Sequence, residues 1–436
     1  MSPNASAPPV GVVPCGYRTT PVRILVVSTL YPPVAFGGYE VECSGVVERL
    51  RERHEVQVLT SSRDRSQVGA ERGVARTLEL LSPDWRGALR APRAALHAAA
   101  AARAALEFDP ELIYVWNASS IPQAAVRVLA DSGTPLAFRV CEHWFGGLFS
   151  NDQFMRELLP AQRSLSRRAW SLACRTLNCA PSLRLQATAP LRAAISWNSQ
   201  AIERMVQTPS FVEVTLERVT HSVPRYGSLY EELAREPAPT PEIVFLGRVT
   251  PYKGIAVAVE ALALLRSEHG IEAKLEVIGP EDVDYGREMR SLSERLGVAG
   301  AVNWHGQQAP EQAAAVLARA HALIVPSVWD EPFPLVTIEG AFARVPLVAA
   351  DVGGISEGMH DREHALLFAR GDAAAAAAAL AQTLSDPGAT AARVERALER
   401  ARQFRLAPYL DAQERFVEDA AASLAAAAGE QPTVAR

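Results

Sequence analysis

The stretch that decides the fold is Glu242-Ile243-Val244-Phe245-Leu246-Gly247-Arg248-Val249-Thr250-Pro251-Tyr252-Lys253-Gly254. Its first five residues form a short apolar run of the kind that makes a strand buried on both faces. Gly247 ends the run, and a helical pattern begins after Gly254. Between them stand two cations, Arg248 and Lys253, close to a helix N-terminus. Free backbone N–H groups and the helix dipole favour an anion at such a point, so the loop suits a diphosphate. Two solvated loop cations are the competing reading.

Further strand–loop–helix units follow it. Strands are expected at Lys274 to Ile278, Val302 to His305, Ala322 to Val325 and Pro346 to Ala349, alternating with helices. Such alternation implies a parallel sheet covered on both faces. The half before residue 231 repeats the theme. Val22 to Ser28 reads as a strand, Thr29 to Gly38 as a proline- and glycine-bearing loop, Tyr39 to Arg53 as an amphipathic helix, and Glu55 to Leu59 as a second strand. Leu112 to Trp116, Leu136 to Val140 and Ala194 to Trp197 are further strands. Ala91 to Leu106, Pro122 to Leu129, 151–177 and Ser199 to Val206 are helical. Pro237, Pro239 and Pro241 mark a linker. The expected organisation is a tail over 1–20, a domain over 21–230, a linker over 231–241, a second domain over 242–405, a helix over 406–428 and a tail over 429–436. Ligands of two such doubly wound domains bind beyond the carboxyl ends of the strands, in the cleft.

Two more loops of the second half carry suitable chemistry. Pro326 to Glu339 follows the strand ending at Val325. Glu331 sits in that loop, where a carboxylate accepts hydrogen bonds from sugar hydroxyls. Glu339 lies in the following helix, within reach of a ribose diol, and the amides of Leu335 and Val336 at the helix start can hold a phosphate. The bland reading is an acidic loop and a surface glutamate. Asp351-Val352-Gly353-Gly354-Ile355-Ser356-Glu357 is a glycine turn, either touching a ligand or simply joining strand to helix.

The chain has 436 residues, 48% hydrophobic and 21% charged, with net charge -5. Its length implies two or three domains, and its charge gives no general attraction to nucleic acid. The five cysteines, Cys15, Cys43, Cys141, Cys174 and Cys179, form no C-x-x-C pair and no zinc-like cluster. They fit a reducing cytosol. No basic-then-apolar leader opens the chain, and no apolar run reaches the roughly 18 residues of a membrane span.

Taken together, Gly247-Arg248 with Lys253-Gly254, Glu331-x7-Glu339 and Val352-Gly353-Gly354-x2-Glu357 resemble family four of the retaining GT-B glycosyltransferases. Gly37-Gly38-Tyr39-Glu40 is similar to that family's N-terminal glycine loop, and His305-Gly306 and Pro326-Ser327 to further pairs. The resemblance covers about residues 22 to 425. It implies an α/β GT-B fold of two Rossmann-like domains, with the last helix crossing back to the N-terminal domain. It implies that Arg248 and Lys253 bind and stabilise the leaving diphosphate, that Glu331 holds the transferred sugar and that Glu339 holds the ribose. Gly37, Gly38, Gly247, Gly279, Leu335 and Val336 would complete the donor site, with backbone around Ile278 to Pro280 and side chains near Gln307 framing the base. It implies no resident cofactor or metal, a nucleoside-diphosphate sugar of UDP or GDP type as co-substrate, and a hydroxyl acceptor (saccharide, lipid or secondary metabolite). The setting would be cytoplasmic, with peripheral contact at the inner membrane face left open. Two departures stand out. Cys141 occupies the position of the family's usual acceptor-side histidine, with His143 two residues on as the acceptor candidate against a packed or solvated histidine. Pro334 replaces a common glycine and removes one amide donor.

Several features read as decoys. Asp282-Val283-Asp284 mimics a metal-binding D-x-D but is expected to be a solvated acidic turn. Asn117-Ala118-Ser119 is a sequon without consequence in the cytosol. Arg156, Arg163, Arg167, Arg168 and Arg175 form a solvated face or a membrane or anion patch, and Ala373 to Ala379 is a helix former. Two rival functions remain: a nucleotide-sugar 2-epimerase, which needs no acceptor, and a non-catalytic binding homologue.

Overall fold

The computed structural model describes residues 20–34, 37–62, 71–81, 85–149, 172 and 190–429. Most of the tails, of the expected helix 151–177 and of the arginines in that helix lie outside the described residues, as do Cys15, Cys174 and Cys179. Two parallel sheets organise the rest.

The first sheet comprises β1 (Arg23–Val27), β2 (Glu55–Ser61), β3 (Val74–Leu78), β4 (Leu112–Val115), β5 (Leu136–Val140), β6 (Leu191–Trp197) and β7 (Val212–Val219). The second comprises β8 (Glu242–Leu246), β9 (Lys274–Ile278), β10 (Val302–Gly306), β11 (Ala322–Val325), β12 (Leu347–Ala350) and β13 (Leu366–Phe368). The orders are β3-β2-β1-β4-β5-β6-β7 and β10-β9-β8-β11-β12-β13. In each sheet the chain runs to one edge, returns beside its first strand and then runs to the other edge. The loops after β1 and β4, and after β8 and β11, therefore diverge and leave a crevice at the carboxyl ends.

The connecting helices are α1 (Gly38–Arg51), α2 (Trp85–Leu106), α3 (Ala124–Asp131), α4 (Gln200–Met205), α5 (Gly227–Glu231), α6 (Ile255–His269), α7 (Val283–Arg295), α8 (Pro310–Arg319), α9 (Leu335–Phe342), α10 (Ile355–Gly358), α11 (Ala373–Ser385) and α12 (Pro387–Ala401). Their starts follow from side-chain caps. Asp372 and Asp386 accept from the Ala375 and Ala389 amides, and Pro387 opens α12 where no N–H is needed. Asp282 does the same for α7, accepting from the Asp284 and Tyr285 amides at 3.1 and 3.0 Å. The D-x-D is thus a helix cap.

Three strands escaped the sequence reading: β3, β7 and β13. β3 and β7 lie at sheet edges, and in β7 only Val212 is buried, the other seven residues being exposed or half-buried instead of forming an apolar run. Arg76 in β3 is buried and donates to the Tyr31 and Pro32 carbonyls.

The last helix, α13 (Leu406–Gly429), leaves the second domain and packs on the first, as expected. Phe416 meets Tyr114 at 5.8 Å between ring centroids, and Tyr114 Oη donates to Gln413 at 2.8 Å. Arg49 and Arg53 pair with Glu414 at 3.1 and 3.0 Å. The fully buried Arg139 is neutralised by Glu42 at 2.9 Å, and Tyr409 from α13 hydrogen-bonds the same carboxylate. Arg139 also donates to Ser196, Ser222 and the carbonyls of Trp197 and Thr220. Burying this cation carries a desolvation cost that its partners offset, and removing one of them would leave a buried charge uncompensated, which is strongly destabilising. No helix among the described residues is long and apolar enough to cross a membrane.

Candidate active site in the interdomain cleft

Four side chains come from two neighbouring strand ends. β8 and β11 are hydrogen-bonded neighbours, so the loop with Arg248 and Lys253 lies beside the loop with Glu331. The two loops are locked together. Val328 N donates to Tyr252 O at 2.9 Å. Gly254 adopts φ 72°, and a Cβ there would stand 1.8 Å from the Pro326 carbonyl oxygen. Only glycine allows both the left-handed turn and this contact.

Lys253 Nζ meets Glu331 Oε1 at 2.7 Å, and Ser327 Oγ donates to the same oxygen at 2.5 Å. Glu331 is 3% exposed. A carboxylate this deep is costly to bury without such partners, and among the described residues no donor reaches Oε2. Arg248 is exposed, with its guanidinium 5.4 Å from the Tyr252 ring centroid. Among the described residues it has no carboxylate within ion-pair distance.

Glu339 differs from Glu331 in having no hydrogen bond or ion pair among the described residues. Burial pushes its carboxyl up to about 7. Perturbation of this kind marks groups kept for a ligand as often as it marks strain. The amides of Leu335 and Val336 open the same helix, and the first helical turn leaves such donors free.

The N-terminal domain supplies the opposite wall. A Cβ on Gly38 would meet Leu335 Cδ1 at 3.0 Å, so α1 starts directly against the start of α9. Gly37 N donates to Glu40 Oε2 at 3.0 Å, a bond from the third helical residue back to the cap that spends this amide. Tyr39 Oη donates to the Arg139 carbonyl at 2.9 Å, which brings the 37–40 loop beside 139–143. Glu142 lies there, open to water yet crowded by both walls. Desolvation, then Glu40, raises its carboxyl, while Arg248 across the cleft opposes the rise. His143 is exposed, with its ring 6.5 Å from Trp329 of the Glu331 loop. Cys141 is buried, and desolvation raises its thiol.

The sequence-named residues thus gather in one cleft, with refinements. The N–H groups of Gly247 and Gly279 are spent on the Ile278 and Gly306 carbonyls. A Cβ on Gly279 would lie 2.0 Å from the Gly247 carbonyl oxygen, so these glycines serve close backbone approach and not donation. Gly353 and Gly354 pack on the backbone of Glu331 and Pro332, with Gly354 N donating to Glu331 O at 2.7 Å. Their turn buttresses the Glu331 loop. Glu357 faces the N-terminal domain, accepting from Gln200 N at 2.9 Å and lying 3.2 Å from Arg204 and 3.3 Å from His221. Ser199 Oγ adds an interdomain bond to the Pro332 carbonyl at 2.5 Å. Gln307 is exposed past the end of β10. Trp329, Tyr252 and Ser327 were given no role from sequence; two aromatic residues flanking cations after adjacent strands were the available signal.

Among the described residues two groupings of His and Glu are close enough to suggest a metal: His360 with Glu363 and His364, and His54 with Glu414 and Glu418. In each, a histidine Nδ1 accepts a backbone N–H, from His360 to His364 and from Val22 to His54. Metal-bound histidines donate from their second nitrogen instead, so neither set fits a metal. A cavity of about 340 Å³ lies away from the cleft, beside Arg235, His321, Arg344, Leu384 and Val394. Its Arg235 is spent on the Leu317 and Ala320 carbonyls at the end of α8.

Comparison with known proteins agrees with this geometry. Residues 232–403 match the family model described as glycosyl transferases group 1. A D-inositol 3-phosphate glycosyltransferase of Acidothermus cellulolyticus is 35% identical over 168 residues, 37% of each chain. A glycogen synthase of Mycobacterium tuberculosis is 33% identical over 172 residues, 38% of this chain and 40% of that one. The match thus spans about two fifths of these relatives' length. Over the whole fold, sucrose-phosphate synthase from Thermosynechococcus elongatus superposes with TM-score 0.67 at 19% identity, covering 92% of this chain and 100% of that one. Anabaena HepE in complex with UDP and glucose gives 0.63 at 20% identity, covering 91% and 100%. Residues 232–403 thus resemble the glycosyl transferases group 1 family, and the two domains together carry the GT-B fold.

Proposed function

We propose that this chain is a retaining glycosyltransferase that moves a hexose-type sugar from a nucleoside-diphosphate carrier to a hydroxyl acceptor. The observation that carries the reading is the Lys253–Glu331 pair in the loops after the neighbouring strands β8 and β11, with the start of α9, the helix that bears Glu339, against Gly38 of the other domain. Arg248, Lys253 and the amides of Leu335 and Val336 would seat the diphosphate, and Glu339 the ribose. Glu331 Oε2 would accept from sugar hydroxyls while Lys253 and Ser327 hold Oε1. As the bond between the anomeric carbon and the phosphate oxygen breaks, charge grows on the diphosphate, where the cations and helix start stabilise it. The acceptor oxygen bonds to the same face, and its proton passes to the leaving phosphate. Such a route needs no dedicated protein base. A UDP-type donor is supported by the likeness to HepE. The acceptor would enter beside Glu142 and His143. Two buried free thiols, Cys43 and Cys141, support a cytoplasmic setting.

The test is incubation of the full chain with UDP- and GDP-sugars, with and without a panel of hydroxyl acceptors, alongside Glu331→Ala. Acceptor-dependent transfer is expected, falling by roughly a hundredfold or more in the variant, because the sugar loses the carboxylate that positions it. Product formed without acceptor would favour the epimerase, and binding without turnover the non-catalytic homologue.

A further inference from the structure

Trp329 follows β11 between Ser327 and Glu331, half-buried, and lies outside the hydrophobic core of either domain. Its ring neighbours are not core residues. Tyr252 meets it edge-on at 5.3 Å, Lys253 Nζ lies 5.8 Å from its centroid, and His143 from the other domain lies at 6.5 Å. Tyr252 in turn carries the Arg248 guanidinium at 5.4 Å. The order across the cleft floor is Arg248, Tyr252, Trp329, Lys253, with His143 reaching the same indole from the facing wall. Among the described residues the indole Nε1–H has no hydrogen-bond partner, so none of them anchors the side chain through its polar end.

Consider what the ring does for the ammonium. Lys253 is a long, flexible side chain whose strongest neighbour is the Glu331 carboxylate at 2.7 Å. Left to that attraction alone, the ammonium would be neutralised by Glu331 and lost to an incoming anion. An aromatic face offers a second electrostatic minimum, roughly comparable to a partly solvated ion pair. The ammonium is thereby shared between carboxylate and ring, and it stays on the side of the loop that faces Arg248. Both cations are then presented together on one aromatic ledge.

We infer that Trp329 is a positioning residue for the donor site: with Tyr252 it forms an aromatic bridge that holds Lys253 and Arg248 as a pair. This rests on the donor reading above for its purpose, but the bridge itself can be tested without any donor. The chain contains two lysines, Lys253 and Lys274. Lys274 is exposed at the start of β9 and serves as an internal reference. An amine-acylating reagent followed by peptide mass spectrometry reads the ratio of labelling at the two positions in the intact chain.

In Trp329→Leu the ratio of Lys253 to Lys274 labelling should rise severalfold, because the ring no longer covers the ammonium. Trp329→Phe, which keeps a ring face, should stay within about twofold of wild type. An unchanged ratio in Trp329→Leu, or a rise in Trp329→Phe equal to that in Trp329→Leu, overturns the bridge. The second comparison also guards against general loosening of the loop, which would raise both variants alike. UDP and GDP are then added as probes. Protection of Lys253 in wild type, needing roughly tenfold more nucleotide in Trp329→Leu, ties the bridge to the donor site. Absence of protection by either nucleotide in wild type counts against the donor reading and leaves the labelling ratio to decide the bridge.

Discussion

Replacing Glu339 by glutamine should stabilise the protein at alkaline pH and leave it unchanged at acid pH. The Glu339 side chain is half-buried, with no counter-charge among the described residues, and desolvation alone raises its carboxyl from 4.5 to about 7. The folded state therefore prefers the proton more strongly than the unfolded chain does. Below 4.5 both states hold the proton and the residue costs nothing. Between 4.5 and about 7 the folded state binds more protons than the unfolded one, so stability falls as pH rises. Above about 7 both are ionised and the full cost is present. At about 1.4 kcal/mol per pH unit, that cost is on the order of 3 kcal/mol. Glutamine keeps the shape and removes the charge. Urea unfolding followed by circular dichroism at about pH 5 and about pH 8 measures the effect. The midpoint of Glu339→Gln should exceed wild type clearly at the higher pH and much less at the lower. A pH-independent difference, or a destabilised variant at the higher pH, would refute the account of Glu339 as an uncompensated buried charge. If Glu339 holds the ribose, the same variant should lose nucleotide affinity while gaining stability, as expected where a strained group is retained for binding.

Arg248→Ala combined with Lys253→Ala should weaken UDP or GDP binding by roughly a hundredfold, since each charged hydrogen bond is worth about 1.5–3 kcal/mol and the effects overlap. Calorimetry reads this, and an unchanged affinity would remove both cations from the site. Gly254→Ala should destabilise by about 3 kcal/mol or more, because a Cβ at φ 72° would stand 1.8 Å from the Pro326 carbonyl. A thermal unfolding midpoint equal to wild type would contradict the tight seam between the β8 and β11 loops. The labelling of Lys253 in the Trp329 variants completes the set.

The comparison between sequence and structure turns on distance along the chain. Local pattern determined the alternation of apolar runs and helices, the placement of Arg248, Lys253, Glu331 and Glu339 after strands, and the return of the last helix. Each depends on residues within one βα unit or on the resemblance of spaced motifs. The edge strands β3 and β7 were missed because an exposed edge need not be continuously apolar. Contacts across long separations were not legible either. Glu357, read as part of a glycine turn, reaches Gln200 and His221 more than 130 residues earlier. Gly353 and Gly354 pack on the backbone of Glu331 and Pro332 and so support the Glu331 loop. Arg139, read inside an apolar strand, became the buried hub that joins Glu42, Ser196 and Ser222.

By itself the sequence determined which residue types stand at the carboxyl ends of the strands, because periodicity and glycine placement act over a few residues. Only the tertiary structure decided that Lys253 is shared between Glu331 and Trp329, that Glu339 has no partner among the described residues, and that His143 looks across at the indole. Those relations depend on how neighbouring strand ends and two domains dock, which is set by packing over the whole chain and not by any local run of residues.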